Sequence, residues 1–342
     1  MNHDTYKKNT ATLAQVAQAS GVSRQTAGRI LGGKAHKHKP DTVERVKQIA
    51  EDLGYRTNLL AKSVVAGKTY SIGVLVPRAN RDSFFADIIT GIQDALIDTE
   101  WVPIILQTSE KSGERSCIRQ QVERRVDGIL LIPHENHVDA NHFSEIIERQ
   151  IPVVIINARL QNIAPVDFIG TDEFEGGKRA AEYLLSISRR WKFGIVRNAG
   201  PSQNLGQRAQ GFLQTLENER KKCRELKLIS WKTEDNLPAL TAFLKKKDRP
   251  NALFCITDIH AAQVYKAAWD LGLHIPSDLA VVGYADLDFA PYLSPSLTTF
   301  RQDGKAIGQA AAEKLLSRIQ QGPVEASEIL QPPELIERQS VK

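Results

Sequence analysis

"SGVSRQTAGRILGG", residues 20–33, decides the fold of this chain. Gly21 interrupts one short apolar pattern and Ser23 opens another. The second carries Arg24, Gln25 and Arg29 on its polar side and has Gly28 inside it. Glycine in a helix interior costs about 1 kcal/mol relative to alanine. A helix this short, polar and weakened is not built for burial alone.

Outward from it, Leu13, Val16 and Ala17 fall at i, i+3 and i+4, one face of a short helix, with Thr12 as its cap. Gly21 permits a sharp turn, and Ser23 is a good N-cap for the second helix. Val22, Thr26 and Ile30 are expected to pack inward. A third helix repeats Val43, Val46, Ile49, Ala50 and Leu53 at helical spacing and stops at Gly54. Three short helices with a tight turn between the first two make a helix-turn-helix. Its second helix should enter the DNA major groove, about 12 Å wide, with N-terminal residues toward base edges. Arginine pairs bidentately with guanine and glutamine with adenine. For Gly28 two readings stand: close approach to the DNA backbone, or a neutral accident.

The chain has 342 residues, enough for two or three domains, with an ordinary globular balance of 42% hydrophobic and 25% charged residues. No apolar run approaches membrane-spanning length, and "MNHDTYKKNT" carries no apolar signal core. Cys117, Cys223 and Cys255 are too few and too scattered for a disulfide framework or a zinc cluster. A reduced, cytoplasmic protein is expected, and nucleoid association if DNA is its partner. Residues 1–68 hold 12 Lys/Arg against 5 Asp/Glu, whereas the remainder holds 33 against 35. A basic head on a near-neutral body predicts a polyanionic partner.

"TLAQVAQASGVSRQTAGRILGG" and "EDLGYRTNLLAKSV" resemble the head motifs of the LacI/GalR family of transcriptional regulators. The resemblance continues through "SIGVLVP", "DGILLI", "IPVVIINAR", "GTDEFEGGKRAAEYLL", "RAQGF", "AVVGY" and "LSPSLTTFRQD", nearly the whole chain. It departs at Ala27-Gly28, where the family has Val-Ser, and at Gly32, where it has Asn. The loop "KAHKHKPD" is about a residue longer than the family's and carries Lys34, His36, Lys37, His38 and Lys39. These are candidates for phosphate contact, since a DNA-binding helix flanks them.

"RTNLLAKSVVAGKT" joins head to body. Asn58 can cap a helix of about two turns, which is marginal alone in water. The resemblance implies that it forms when two subunits pair on operator DNA. It puts Ala61, Lys62 and Val64 at the minor groove, with Val64 as the wedge where the family has Leu. "AGKT" is not a phosphate-binding loop, because Lys62 stands where that pattern needs glycine.

From Tyr70 on, apolar strands such as "SIGVLV", "PVVIIN" and "ALFCIT" alternate with amphipathic helices, implying parallel sheets covered on both faces. The expected architecture is an all-α helix-turn-helix head (10–56), a hinge and linker (57–69) and an α/β body (70–342). The resemblance divides the body into two doubly wound parallel-sheet subdomains of periplasmic-binding-protein type, roughly 70–170 and 171–299, with 300–342 completing both. Ligands of open α/β sheets bind outside the strand C-termini. The cleft between subdomains is therefore the default effector site, with Arg78, Arg81, Phe85, His134, Arg159, Arg197, Thr257 and Asp258 as candidate contacts. Arg208 in "RAQGF" matches the family's effector-binding arginine. Where the family has an aspartate after its final-strand glycine this chain has Ala285, followed by Asp286. Either Asp286 takes that role, or the effector is anionic and held by arginines.

No catalytic constellation stands out, and "HENHVDANH" lacks metalloprotease spacing, so no cofactor or metal is expected. The chain reads as a DNA-binding regulator, a repressor controlled by a small sugar-like effector, with a homodimer on double-stranded operator DNA and no membrane partner. The candidate DNA contacts are Thr12, Ser23, Arg24, Gln25, Thr26, Arg29, Lys37, Lys39, Asn58, Ala61, Lys62 and Val64. The rival is an α/β sugar-modifying enzyme with an appended DNA-binding head.

Overall fold

The computed structural model describes residues 11–32, 35–56, 63, 67–77, 83–108, 113–133, 143–158, 165–200, 202–322 and 325–341. The chain forms two compact units, 1–69 and 70–342.

In the first unit, helices α1 (Leu13–Ala19), α2 (Arg24–Leu31) and α3 (Pro40–Asp52) enclose a small core of Val16, Ala17, Ala27, Ile30, Val46 and Ala50. Thr12 closes a capping box on α1: its hydroxyl accepts the Gln15 N–H at 3.3 Å, while Gln15 Oε1 accepts the Thr12 N–H at 2.8 Å. The turn into α2 follows from Gly21, whose φ of +65° lets its N–H reach Gln18 O and the Val22 N–H reach Ala17 O. Gly54 ends α3 in the same way, and Tyr55 beyond it packs on the core. The expected inward face of α2 needs one correction. Ala27, not Thr26, is fully buried beside Ile30, and Thr26 stays half-buried with its hydroxyl 2.9 Å from Ser23 Oγ.

The second unit holds two parallel sheets. The first comprises β1 (Ser71–Val76), β2 (Val102–Gln107), β3 (Gly128–Leu131), β4 (Val153–Ile156), β5 (Asp167–Thr171) and β11 (Glu328–Gln331), in the order β11-β5-β4-β3-β1-β2. The second comprises β6 (Phe193–Asn198), β7 (Cys223–Leu228), β8 (Ala252–Cys255) and β9 (Ala280–Val282), in the order β7-β6-β8-β9. Helices α4 (Ser83–Leu96), α5 (Glu114–Glu123) and α6 (Ser144–Glu148) belong to the first. Helices α7 (Glu173–Ile187), α8 (Gln203–Asn218), α9 (Thr233–Leu244) and α10 (Asp258–Asp270) belong to the second. β10 (Thr299–Arg301) pairs antiparallel with β12 (Glu334–Ile336). Helix α11 (Gly304–Gln321) packs its Ile307, Ala311 and Leu315 into the first core, and Val341 packs into the second, so the C-terminal segment serves both.

Each subdomain contains one helix pair drawn together by reciprocal glycines. A Cβ on Gly91 of α4 would fall on Lys305 O of α11, and one on Gly308 of α11 on Ile88 O of α4. In the second subdomain Gly177 of α7 faces Arg208 O of α8, and Gly211 of α8 faces Phe174 O of α7. Only the missing side chains let these backbones touch. The α7–α8 approach places Glu173 and Arg208 side by side.

Candidate nucleic-acid interface and ligand cleft

On the head, the core-facing side of α2 is spent on packing and the opposite side is open. Arg24, Gln25 and Arg29 are all exposed. Ser23 caps the helix by accepting the Thr26 N–H at 3.0 Å. The first turn of α2 carries no acidic residue, so nothing there opposes a phosphate near its positive end. Lys37, in a short 3-10 turn, and Lys39, the residue before Pro40 at the start of α3, are also exposed. The vacant Cβ position of Gly28 points at Leu13 Cδ2, 3.3 Å away on α1. Gly28 therefore faces α1 inside the head rather than the exposed polar side of α2. Asn58, Ala61, Lys62 and Val64 lie outside the described residues, as do Arg78, Arg81, His134 and Arg159.

In the body, strand C-termini of both sheets meet around Arg208. Its guanidinium is buried and held on three sides. Nη2 lies 2.7 Å and Nε 2.9 Å from Glu173 Oε2, Nη1 donates to Ile256 O just past β8, and the group stacks 3.5 Å from the centroid of the Tyr284 ring. Glu173 sits at the first position of α7, directly after β5. Its other oxygen accepts from Gln302 Nε2 at 3.2 Å, and Gln302 also donates to Thr171 Oγ1 at 2.9 Å. One turn before Arg208, Asn204 Nδ2 donates to Asn157 O, beyond β4, at 2.8 Å.

Thr257 caps α10, its hydroxyl 2.9 Å from His260 Nδ1. His260 is fully buried, its Nε2 has no hydrogen-bond partner, and its ring stacks under Trp231 with centroids 5.0 Å apart. Burial, then the positive charge of Arg208, pushes the His260 imidazole down to about 4, so it is neutral near pH 7. Trp231 is 48% exposed just past β7. Gln263 donates to its backbone carbonyl at 3.2 Å, and Asn236 bridges Gln263 to Ser230 O. The result is an aromatic ledge on a braced loop. The polar residues at strand ends were legible in the sequence. Trp231 and His260 were missed, although both follow strand ends just as Thr257 does, and so was Glu173.

Three expected effector contacts have partners within the chain. Arg197 turns sideways to Glu225 on β7 at 2.9 Å and lines a surface groove with Gln210 and Glu217 on the outer side of α8. Asp258 is sealed: its carboxylate accepts from Thr299 Oγ1 at 2.6 Å and the Leu287 N–H at 2.8 Å, pinning two separate segments to α10. Burial raises it to about 6. Asp286, at φ +53°, pairs with Arg301 and Arg338 at 2.7 Å each, so its charge is consumed holding β10 and the C-terminal segment. Phe85 is half-buried on α4 and packs edge-on against Phe84. Among the described residues no cluster of three or more metal-ligating side chains occurs, and no helix is long and apolar enough to cross a membrane.

Residues 12–58 match the family described as bacterial regulatory proteins, lacI family, and residues 188–341 match the periplasmic binding protein-like domain. The HTH-type transcriptional repressor PurR of Proteus mirabilis (strain HI4320) is 30% identical over 336 residues, 97% of each chain. PurR of Photorhabdus laumondii is 30% identical over 334 residues, again 97% of each. Among solved structures, the Lac repressor bound to ONPG in its repressed state gives a TM-score of 0.78 at 23% identity, over 97% of this chain and 100% of that one. A LacI family regulator from Enterococcus faecalis V583 with bound ribose gives 0.67 at 28% identity, over 79% of this chain and 98% of that one.

Proposed function

The chain belongs to the lacI family of bacterial regulatory proteins and is a DNA-binding transcriptional regulator, not an enzyme; from that premise we propose how it reads DNA and what controls it. Two heads of a homodimer bind a pseudo-palindromic operator as a repressor, in the cytoplasm on the nucleoid. Arg24, Gln25 and Arg29 read base edges, while Thr12, Ser23, Thr26, Lys37 and Lys39 meet the phosphates that set the register. The observation that carries this is the exposed polar side of α2, whose opposite side is closed by Ala27 and Ile30. A small polar effector binds where the strand ends converge, with Trp231 as its ledge and Thr257, His260 and Arg208 around it. Differential affinity for open and closed subdomain arrangements couples that site to the operator. The Enterococcus faecalis regulator with bound ribose supports a sugar-like class of ligand.

Selection of bound duplexes from a random pool tests the DNA half. A two-fold symmetric consensus is expected, and absence of any sequence preference refutes it. Titrating the selected operator complex with neutral sugars tests the effector half. At least one should change operator affinity, and the change should shrink in Trp231→Ala.

A further inference from the structure

The buried guanidinium of Arg208 already has an anion. Glu173 is 3% exposed and Arg208 4%, so little water screens the pair. One carboxylate oxygen faces both Nε and Nη2, the other is held by Gln302, and the carbonyl of Ile256 takes Nη1. These contacts repeat what an arginine offers a bound carboxylate or phosphate. We infer that Glu173 is a resident carboxylate ligand of Arg208, and that it sets the charge class of the cleft: the site admits uncharged polar ligands and rejects anions. The inference rests on the cleft being the effector site.

The surroundings agree. Arg197, the other described arginine expected to help an anion, is paired with Glu225 away from the cleft. Buried polar atoms still without partners nearby are neutral. His260 Nε2 belongs to an uncharged ring, and Asn157 Oδ1 to a residue whose carbonyl is bound one helical turn from Arg208. Such atoms suit hydroxyl or amide groups of a ligand. An anion brought to Arg208 would meet the Glu173 carboxylate at close range, and like charges in dry surroundings repel strongly. Of the two readings left open at Ala285, an effector that is anionic or one that is not, the pairing of Glu173 with Arg208 favours the second.

Acetate and inorganic phosphate are the probes, added to the full chain at constant ionic strength against chloride, with thermal shift and calorimetry as readouts. Wild type should show no anion binding that depends on Arg208. Glu173→Ala vacates the carboxylate's place and should bind acetate on the order of 10- to 100-fold more tightly than wild type, as expected for a charge-assisted contact regained. That gain should vanish in Glu173→Ala/Arg208→Gln. Glu173→Gln keeps the volume, and should lose the discrimination against anions if the alanine variant does not fold. The inference is overturned if wild type binds acetate or phosphate through Arg208, or if neither Glu173 variant gains anion affinity. A failure of the cleft reading would look different: no small molecule would change operator binding, whatever the anion titrations show.

Discussion

Two helix-interior glycines, Gly28 and Gly177, should respond to the same substitution with opposite signs. Replacing either by alanine recovers about 1 kcal/mol of helix propensity. At Gly28 the new Cβ meets only Leu13 Cδ2 at 3.3 Å, the tip of a half-buried, flexible side chain that can shift by a few tenths of an ångström. The crowding costs about half the gain, so Gly28→Ala should stabilise the head by roughly 0.5 kcal/mol. At Gly177 the new Cβ lands on Arg208 O, a backbone atom fixed by α8. Overpacking costs typically about 1–3 kcal/mol; a clash with backbone that forces two helices apart belongs to the upper part of that range, about 2–3, so after the propensity gain Gly177→Ala should destabilise the body by about 1–2 kcal/mol net. Trp101, Trp191, Trp231 and Trp269 all lie in the body, so tryptophan fluorescence in urea reports that unit. Amide hydrogen exchange of residues 12–55 reports the head. Because the Gly28 position faces α1, operator affinity in Gly28→Ala should change by less than about threefold, a small fraction of a base contact. A destabilised head, or a Gly177→Ala body as stable as wild type, would refute the packing account.

Arg24→Ala should relax selection at one operator position, worth about 1–3 kcal/mol there, whereas Lys39→Ala should weaken all sequences alike and make the salt slope shallower by about one unit. An unchanged consensus from Arg24→Ala would contradict the docking of α2. Thr12→Ala removes the capping box and should cost the head about 1 kcal/mol, read by the same exchange experiment. For pH, His260 titrates at about 4 when folded against 6.5 ordinarily, so its penalty is absent above 6.5, grows as pH falls, and saturates near 4 at roughly 3 kcal/mol. Asp258, raised from 3.8 to about 6, acts in the other direction, adding stability as pH falls through 6. Asp258→Asn should therefore steepen the loss of stability between pH 6 and 4, and His260→Gln should flatten it, in urea melts across that window.

How far the sequence reached depended on the range of the interaction. The head was legible almost residue by residue, because caps and turns are local: Thr12 with Gln15, Gly21 with Gln18, Val22 with Ala17, and Ser23 with Thr26 all act within five positions. The alternating strands and helices of the body were legible from periodicity. What a polar residue does at a strand end was not, because its partner comes from elsewhere. Asp258 reads as a cleft residue until Thr299 closes on it, and Asp286 as an effector grip until Arg301 and Arg338 take its charge. Arg208 was found by motif, but its partner Glu173 lies 35 positions away. The clue to that pair was present in Gly177 and Gly211, small residues at matching places on consecutive helices.

Those glycines tie the cleft to the connections between subdomains. Arg208 cannot move along α8 without carrying its carbonyl against Gly177, and so displacing α7. Helix α7 begins where β5 leaves the first sheet, and its first residue is Glu173. Glu173 in turn holds Gln302, which follows β10, precedes α11 and bonds Thr171. One carboxylate therefore touches a helix of the second subdomain and two chain crossings between the sheets. On the proposed reading, a ligand that moves Arg208 together with its helix backbone would work against both crossings at once, because close-packed interfaces pass strain on rather than absorb it. A charge-neutral pair suits that position. It stays associated in dry surroundings without drawing in counterions, and it leaves the neutral groups of His260, Asn157 and Trp231 to distinguish one uncharged ligand from another.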